Sequence, residues 1–353
     1  MATEPDINVF EKKATLYNEI PGMASTIAVI GAFDSDVSEV THVTSRDAHE
    51  IFGTTSAVGT FKGTDDIDYL FKGASDLLIV NTTTWSNANP PVASTNLTNE
   101  KLENALAKLK GESFDILYVA EELTDAAQTI VSAWLDEEFE NKNPHGQVGQ
   151  LSKNSASAYG TSVAIYNKNI YYINTQVLTL NGELLDLNRS TAYICGLIAG
   201  MNVSSSLTNK IIPDVTGITP EYTTENGDLG YNLLNLNIPF IKCKERTKNK
   251  YYCVNSQMPN GYDIYINRVR DYVLKRIAVE TFLGSQSTDV TVGGIDNIVE
   301  TVRNVCVDEL KLLKDIIYRV EKNSSDCVEI HIDSLLFYGI ITRIDIDYSI
   351  EVE

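Results

Sequence analysis

Short apolar runs that alternate with amphipathic segments set the tightest limit on what this chain can fold into. Ser25-Thr-Ile-Ala-Val-Ile-Gly31 and Leu77-Leu-Ile-Val80 are apolar on every side and too short for a core helix. Such runs suit strands that are covered on both faces of a sheet. Phe114-Asp-Ile-Leu-Tyr-Val-Ala120 reads as a further strand. Between these runs lie segments with helical character. Val43 to Gly53 predicts a short helix with Ser45 as N-cap and Gly53 as C-cap, and Asp65 to Lys72 another. Asn99 to Lys110 places Leu102, Ala105, Leu106 and Leu109 on one helical face, and Asp125 to Phe139 follows Thr124, a capping residue. A β-α-β-α order of this kind predicts the α/β class, with an open, largely parallel sheet and helices packed on it.

After Asn143 the texture changes to mixed α/β. Thr161 to Tyr166 and Ile170 to Ile173 read as short strands joined in a hairpin through 167–169. Asn188 to Asn202 predicts a helix lined with small residues (Ala192, Cys195, Gly196, Ala199, Gly200), which let another element approach its backbone. Thr208 to Asn226 is turn-rich, and three strand-like pieces precede a strong helix over Tyr262 to Leu283. Ile295 to Lys322 predicts an amphipathic helix or helix pair with Ile298, Val302, Val305, Leu312, Ile316 and Val320 in the core. Val328 to Ile332 then alternates as a half-buried strand does, and Leu335 to Ile341 continues extended.

The last segment, Thr342 to Glu353, puts Ile344, Ile346, Tyr348, Ile350 and Val352 on alternate positions. A long amphipathic strand of this kind must pair with something, because an open edge is a template for aggregation. It pairs inside its own sheet, or it is donated to another subunit and recognised through main-chain hydrogen bonds; the residues leave both open. At the other end, Asp6 to Leu16 carries Ile7, Val9 and Phe10 after Pro5 and reads as an extended arm.

The chain carries a formal net charge of -20 on 353 residues, with 43% hydrophobic and 22% charged residues. That composition excludes wholesale disorder. The acidic balance speaks against a nucleic-acid partner or an anionic membrane surface. No apolar run approaches the roughly 20 residues of a membrane span, and Met1 to Phe10 lacks the pattern of a secretory signal, so assembly in the cytoplasm is expected. One region departs from the acidic average: Phe240 to Gly284 has nine Lys/Arg against four Asp/Glu, a balance of +5. The five cysteines show no C-x-x-C spacing and read as reduced, small apolar residues.

No motif for chemistry stands out. There is no phosphate-binding G-x-x-x-x-G-K-[ST], no G-x-G-x-x-G after a strand and no H-E-x-x-H. His42 and His49 lie seven apart without a completing ligand, and Ser157 lacks the G-x-S-x-G elbow of a hydrolase. The acidic groups Asp136-Glu137-Glu138 and Asp65, Asp66 and Asp68 read as solvated faces. No catalytic residue, cofactor site or metal site is therefore expected.

Taken in order, the segments resemble the tail sheath family of contractile phages, R-type bacteriocins and related injection systems. The resemblance is carried by Ser25 to Gly31 followed by Val43-Thr-Ser-Arg-Asp-Ala-His-Glu-Ile-Phe-Gly53, and by Tyr69 to Val80. It continues through Leu187 to Gly200 with the downstream Gly217-Ile218, and through Ile264-Tyr-Ile-Asn-Arg-Val-Arg270. The chain departs from many members in lacking a large inserted outer domain, and Lys72-Gly-Ala-Ser75 replaces an early Asn-Gly-Gly turn.

The resemblance implies a structural subunit of a contractile sheath, not an enzyme, with no cofactor. It would form a helical homopolymer around an inner tail tube, meet baseplate and terminator proteins at the ends, and reside in a virion tail or released particle. Implied divisions are an N-terminal arm at 1–22, an α/β domain at 23–142, a sheath-core region at 143–341 and a C-terminal strand arm at 342–353. Ile7, Val9 and Phe10 would belong to one inter-subunit arm, and Ile344, Ile346, Tyr348 and Ile350 to the other. Arg268, Arg270, Lys275 and Arg276 on one helix, or Lys311, Lys314 and Arg319 on the next, are candidates to face the tube, alongside the plainer reading of solvated faces. Another tail or baseplate protein, or a cytoplasmic α/β enzyme, remains the alternative.

Overall fold

The computed structural model describes residues 26–54, 59–141, 145–150, 170–174, 176–243, 250–258, 261–287, 292–324 and 327–338. Its first half is a six-stranded sheet with helices on both faces. In chain order the elements are β1 (Thr26–Gly31), β2 (Thr41–Thr44), α1 (Ala48–Phe52), α2 (Lys62–Leu70) and β3 (Asp76–Asn81). A small ribbon of β4 (Thr84–Trp85) and β5 (Ala93–Ser94) leads to α3 (Asn99–Lys108), β6 (Ile116–Val119), α4 (Asp125–Glu140), β7 (Gly146–Gln150) and β8 (Ile170–Asn174). The sheet order is β2-β3-β1-β6-β7-β8, parallel throughout except for the edge strand β2.

The wholly apolar strands are explained by this arrangement. Ile27 and Val29 point to one core, with Phe52, Ile67, Leu70, Ile194 and Ile198. Ala28 and Ile30 point to the other, with Leu102, Leu106, Val131 and Leu135 from α3 and α4. The predicted Thr124 cap forms, its hydroxyl accepting from the Ala127 amide, and the Thr98 hydroxyl accepts from the Lys101 amide in the same way, each worth about 1 kcal/mol. The early helix is shorter than its sequence suggested, because Val43 and Thr44 pair with β3 and leave only Ala48–Phe52 helical. Ser45 therefore falls before the cap position, which Asp47 takes without a side-chain bond.

The second half begins with β9 (Val177–Leu180), β10 (Glu183–Leu184), α5 (Leu187–Gly200), β11 (Val215–Thr219), α6 (Leu229–Asn235), β12 (Ile241–Cys243) and β13 (Tyr251–Cys253). The helix α5, capped by Asp186, packs under the sheet against α2. Its small residues allow that approach: a Cβ on Gly196 would stand 2.4 Å from the Tyr69 carbonyl oxygen. The chain closes with α7 (Ile264–Ser287), α8 (Val292–Asn304), a π-helical turn (Val305–Glu309), and the hairpin of β14 (Asp315–Ser324) and β15 (Cys327–Leu336). These last elements share a separate core that includes Val269, Val273, Val299, Val302, Leu312 and Ile316.

Two expectations are corrected. The boundary at 142/143 falls inside the sheet, since β7 and β8 extend it. β8 runs parallel to β7, and the strand and turn expected over 161–169 lie outside the described residues. The helix pair over Ile295 to Lys322 is a helix followed by a strand.

Candidate assembly surface

The basic stretch around α7 turns inward. Arg268 is 2% exposed; its Nη1 donates to the carbonyls of Ile198 (2.8 Å) and Met201 (3.2 Å), and its Nη2 to Asp115 Oδ2 at 3.1 Å. Its charge is thus used twice, on carbonyls at the C-terminus of α5, where a cation is favoured, and on Asp115. Two turns further, the Lys275 ammonium donates to the Phe114 carbonyl, and burial holds its pKa below the ordinary lysine value. His145 Nδ1 lies 2.8 Å from that same oxygen, which assigns it the donor role. The imidazole is stacked 3.7 Å from the Phe114 ring, and its pKa is lowered to about 4 by burial and then by the Lys275 charge.

Arg270 pairs with Asp271 at 2.6 Å and lies 4.9 Å over the Phe139 ring, while Arg276 pairs with Glu280 at 3.0 Å. Arg268 is thus removed from the candidate tube-facing set, because its charge is consumed within the fold. Lys275 is likewise engaged with the start of β6. Arg270 and Arg276 are half-buried.

The hairpin presents the opposite case. Ile316, Tyr318 and Val320 of β14, with Ile330, Ile332 and Leu335 of β15, turn one face onto the C-terminal core. The other face carries Ile317, Arg319, Glu321 and Asp333. Arg319 bridges the strands to Asp333 (Nε to Oδ2 2.9 Å, Nη2 to Oδ1 3.2 Å) and holds that carboxyl below the usual range. Arg303 on α8 does the same to Asp315 at 2.7 Å. Among the described residues β14 and β15 pair only with each other, and no other described strand covers either outer edge. Two-stranded ribbons are marginal in water without further support. Lys311 and Lys314 are exposed in the turn before β14, and Arg319 is exposed on the strand, not on a helix. Leu336 and Tyr338, 43% and 45% exposed, continue the apolar character toward the C-terminus. Both arms, with Ile7, Val9, Phe10, Ile344, Ile346, Tyr348 and Ile350, lie outside the described residues.

The place where an open α/β sheet ordinarily holds a ligand is the crevice at the carboxyl ends of the strands where their order reverses, here between β1 and β6. That crevice is packed. A Cβ on Gly31 would stand 2.8 Å from the Ala120 Cβ, and one on Gly63 would stand 2.6 Å from the Phe33 ring. Lys62 and Glu121 form an ion pair beside it. Among the described residues no group of three His, Cys, Asp or Glu could hold a metal. His42 and His49 point instead to Asp76 and Asp68. Cys195, Cys253 and Cys306 are buried free thiols, and no described helix is long and apolar enough to cross a membrane.

Residues 95–240 match the profile of the phage tail sheath protein central domain. The fold as a whole is similar to that of the sheath tail protein from Desulfitobacterium hafniense, with a TM-score of 0.66 at 13% identity, over 92% of this chain and 98% of that one. The chain has the tail sheath fold. A chain in the anti-feeding prophage baseplate superposes with a TM-score of 0.66 at 11% identity, over 93% of both chains. A chain of the contracted anti-feeding prophage helical sheath gives 0.61 at 11% identity, also over 93% of both. No curated protein sequence matches this one. The resemblance to the tail sheath family read from the sequence therefore holds, as does the mixed α/β class. Sequence reasoning missed the inward use of Arg268 and the hairpin; the signal for the hairpin was the alternation of Ile316, Tyr318 and Val320.

Proposed function

We propose that this chain is a structural subunit of a contractile tail sheath, polymerising into a helical sleeve around an inner tube. The observation that carries the reading is the likeness to a contracted sheath protomer over 93% of both chains. The hairpin supports it, because its edges, unpaired among the described residues, can each receive a strand, and the alternating segment Thr342 to Glu353 has the length and pattern to supply one. In this reading Ile344, Ile346, Tyr348 and Ile350 pair with a neighbour's hairpin, and Ile7, Val9 and Phe10 reach a second neighbour. Subunits then stay tied while the sleeve shortens and drives the tube through a target envelope. No catalytic step enters; the free energy is held in the assembled lattice. Lys311 and Lys314 remain as tube-facing candidates, and such a contact weakens with salt. Baseplate and terminator proteins at the ends, and a particle assembled in the host cytoplasm, complete the reading.

The likeness to a chain in a baseplate favours, as a second reading, a role at the tail end. Negative-stain microscopy of the purified chain separates the two. A sheath subunit forms tubes or sleeves of indefinite length; a baseplate component forms closed rings or stays small; a strict monomer at all concentrations contradicts both.

A further inference from the structure

Asp66 is the most unusual carboxyl group in the described chain. It lies on α2 at 0% exposure, facing β6 and α5, and no described cation forms an ion pair with it. Its Oδ2 is 2.8 Å from the Tyr118 hydroxyl, and its Oδ1 has no partner. The Tyr118 hydroxyl, also fully buried, lies 3.1 Å from the Asn188 carbonyl in the first turn of α5.

The donors decide the protonation state. Tyr118 has one proton to give and faces two acceptors if Asp66 is ionised. An ionised Asp66 would then be a fully buried carboxylate with a single hydrogen bond and one bare oxygen, an arrangement far costlier than a neutral acid in the same place. A protonated Asp66 resolves the count: its hydroxyl donates to the Tyr118 oxygen, and Tyr118 donates to Asn188.

The charged and titratable surroundings point the same way. Asp65 on α2 and Asp186 at the start of α5 add negative charge, and burial raises the Asp66 pKa well above the ordinary carboxyl value. Arg189 on α5 opposes this, but its guanidinium is bonded to Asp186 and Glu183. Tyr118 and Cys195 are pushed up by burial and also by Asp66, so both stay neutral beside it.

We infer that the α2–α5 joint is a proton-dependent lock, in which neutral Asp66 donates to Tyr118 and Tyr118 to the Asn188 carbonyl, and loss of that proton loosens the joint. The joint is tight elsewhere: a Cβ on Gly73 would stand 2.2 Å from the Gly196 carbonyl oxygen. Little slack is therefore available for water to enter and solvate a carboxylate. The inference concerns the folded chain and stands independently of what it assembles into.

The sign follows from linkage. A carboxyl whose folded pKa is raised binds its proton more tightly when folded. Its contribution is present in full below the unfolded value, near 4, and is lost as pH rises from there to the folded value. The test is chemical denaturation of the full chain and of Asp66→Asn from pH 5 to 9, read as the difference between the two profiles. An amide can still donate to Tyr118, so Asp66→Asn keeps the bond and removes the titration. The expected result is a wild-type unfolding constant that rises relative to the variant's by about tenfold per pH unit until the folded carboxyl ionises. Parallel profiles overturn the proposal.

Infrared spectroscopy of the native wild-type chain at pH 7 gives a reading that needs no variant. A protonated-carboxyl band must be present, and its absence overturns the proposal. Should Asp66→Asn fail to fold, Tyr118→Phe takes its place. It removes the acceptor of the Asp66 proton and must shift the pH at which wild-type stability declines; an unmoved profile overturns the lock.

Discussion

The seam along α7 and the hairpin of β14 and β15 use the same residue types to opposite ends. At the seam, Arg268 and Lys275 are drawn into the fold and bonded to Asp115 and to the carbonyls of Phe114, Ile198 and Met201. At the hairpin, Arg319, Lys311 and Lys314 stay in solvent, and no other described strand pairs with the edges beside them. The first region joins the C-terminal helices to the sheet of one subunit. The second, in the proposed assembly, joins subunits. Charge in this chain therefore reports nothing about location until its partners are known: the buried Arg268 guanidinium is bonded across the fold, and the exposed Arg319 holds only surface pairs with Asp333 and Glu321.

The comparison breaks most visibly at Arg268. Replacing it by Met leaves Asp115 without its cation in a nearly buried place, and the chain is expected to lose about 3–5 kcal/mol, measured by urea denaturation. A loss under about 1 kcal/mol, the range of exposed pairs, would put the seam in the same class as the hairpin. Next in size is Gly196→Ala on α5. Helix propensity alone favours Ala by about 1 kcal/mol. The new Cβ, however, would stand 2.4 Å from the Tyr69 oxygen, and overpacking is expected to win by about 1–3 kcal/mol. A more stable variant would show that α2 and α5 can part without cost.

His145 sharpens the contrast through pH. Its pKa is lowered to about 4 in the fold, against about 6.5 unfolded. Its contribution is therefore complete above the unfolded value and falls away as pH drops from about 6.5 to about 4. His145→Gln should flatten that part of the stability profile, and an unchanged slope would place the titration elsewhere. The smallest effect belongs to Arg319→Ala, which should leave the melting temperature of the unassembled chain unmoved at low and high salt alike. A marked drop would mean that the hairpin depends on its own surface charges.

Legibility in the sequence followed the range of the forces involved. β1, β3 and β6 could be read because burial on both faces leaves an apolar run, and Thr124 because a cap acts over three residues. The hairpin was half hidden. Leu312, Ile316 and Val320 fall four apart as in a helix, while Ile316, Tyr318 and Val320 alternate as in a strand, and only the pairing with β15 decides between them. Arg268 could not be placed at all, since its carboxylate partner lies 153 residues away. Asp66 was read as part of a solvated acidic group for the same reason: neither its burial nor Tyr118 is visible from its neighbours in sequence.

The most direct test of the account is sedimentation velocity, with microscopy, on three samples: the full chain, a chain lacking 342–353, and the full chain with excess synthetic peptide of those twelve residues. If the hairpin edges receive that strand, the full chain sediments as long sleeves. The truncated chain stays folded but small, and the peptide shortens the sleeves in proportion to its concentration. Sleeves of unchanged length from the truncated chain, with no effect of the peptide, would contradict the account.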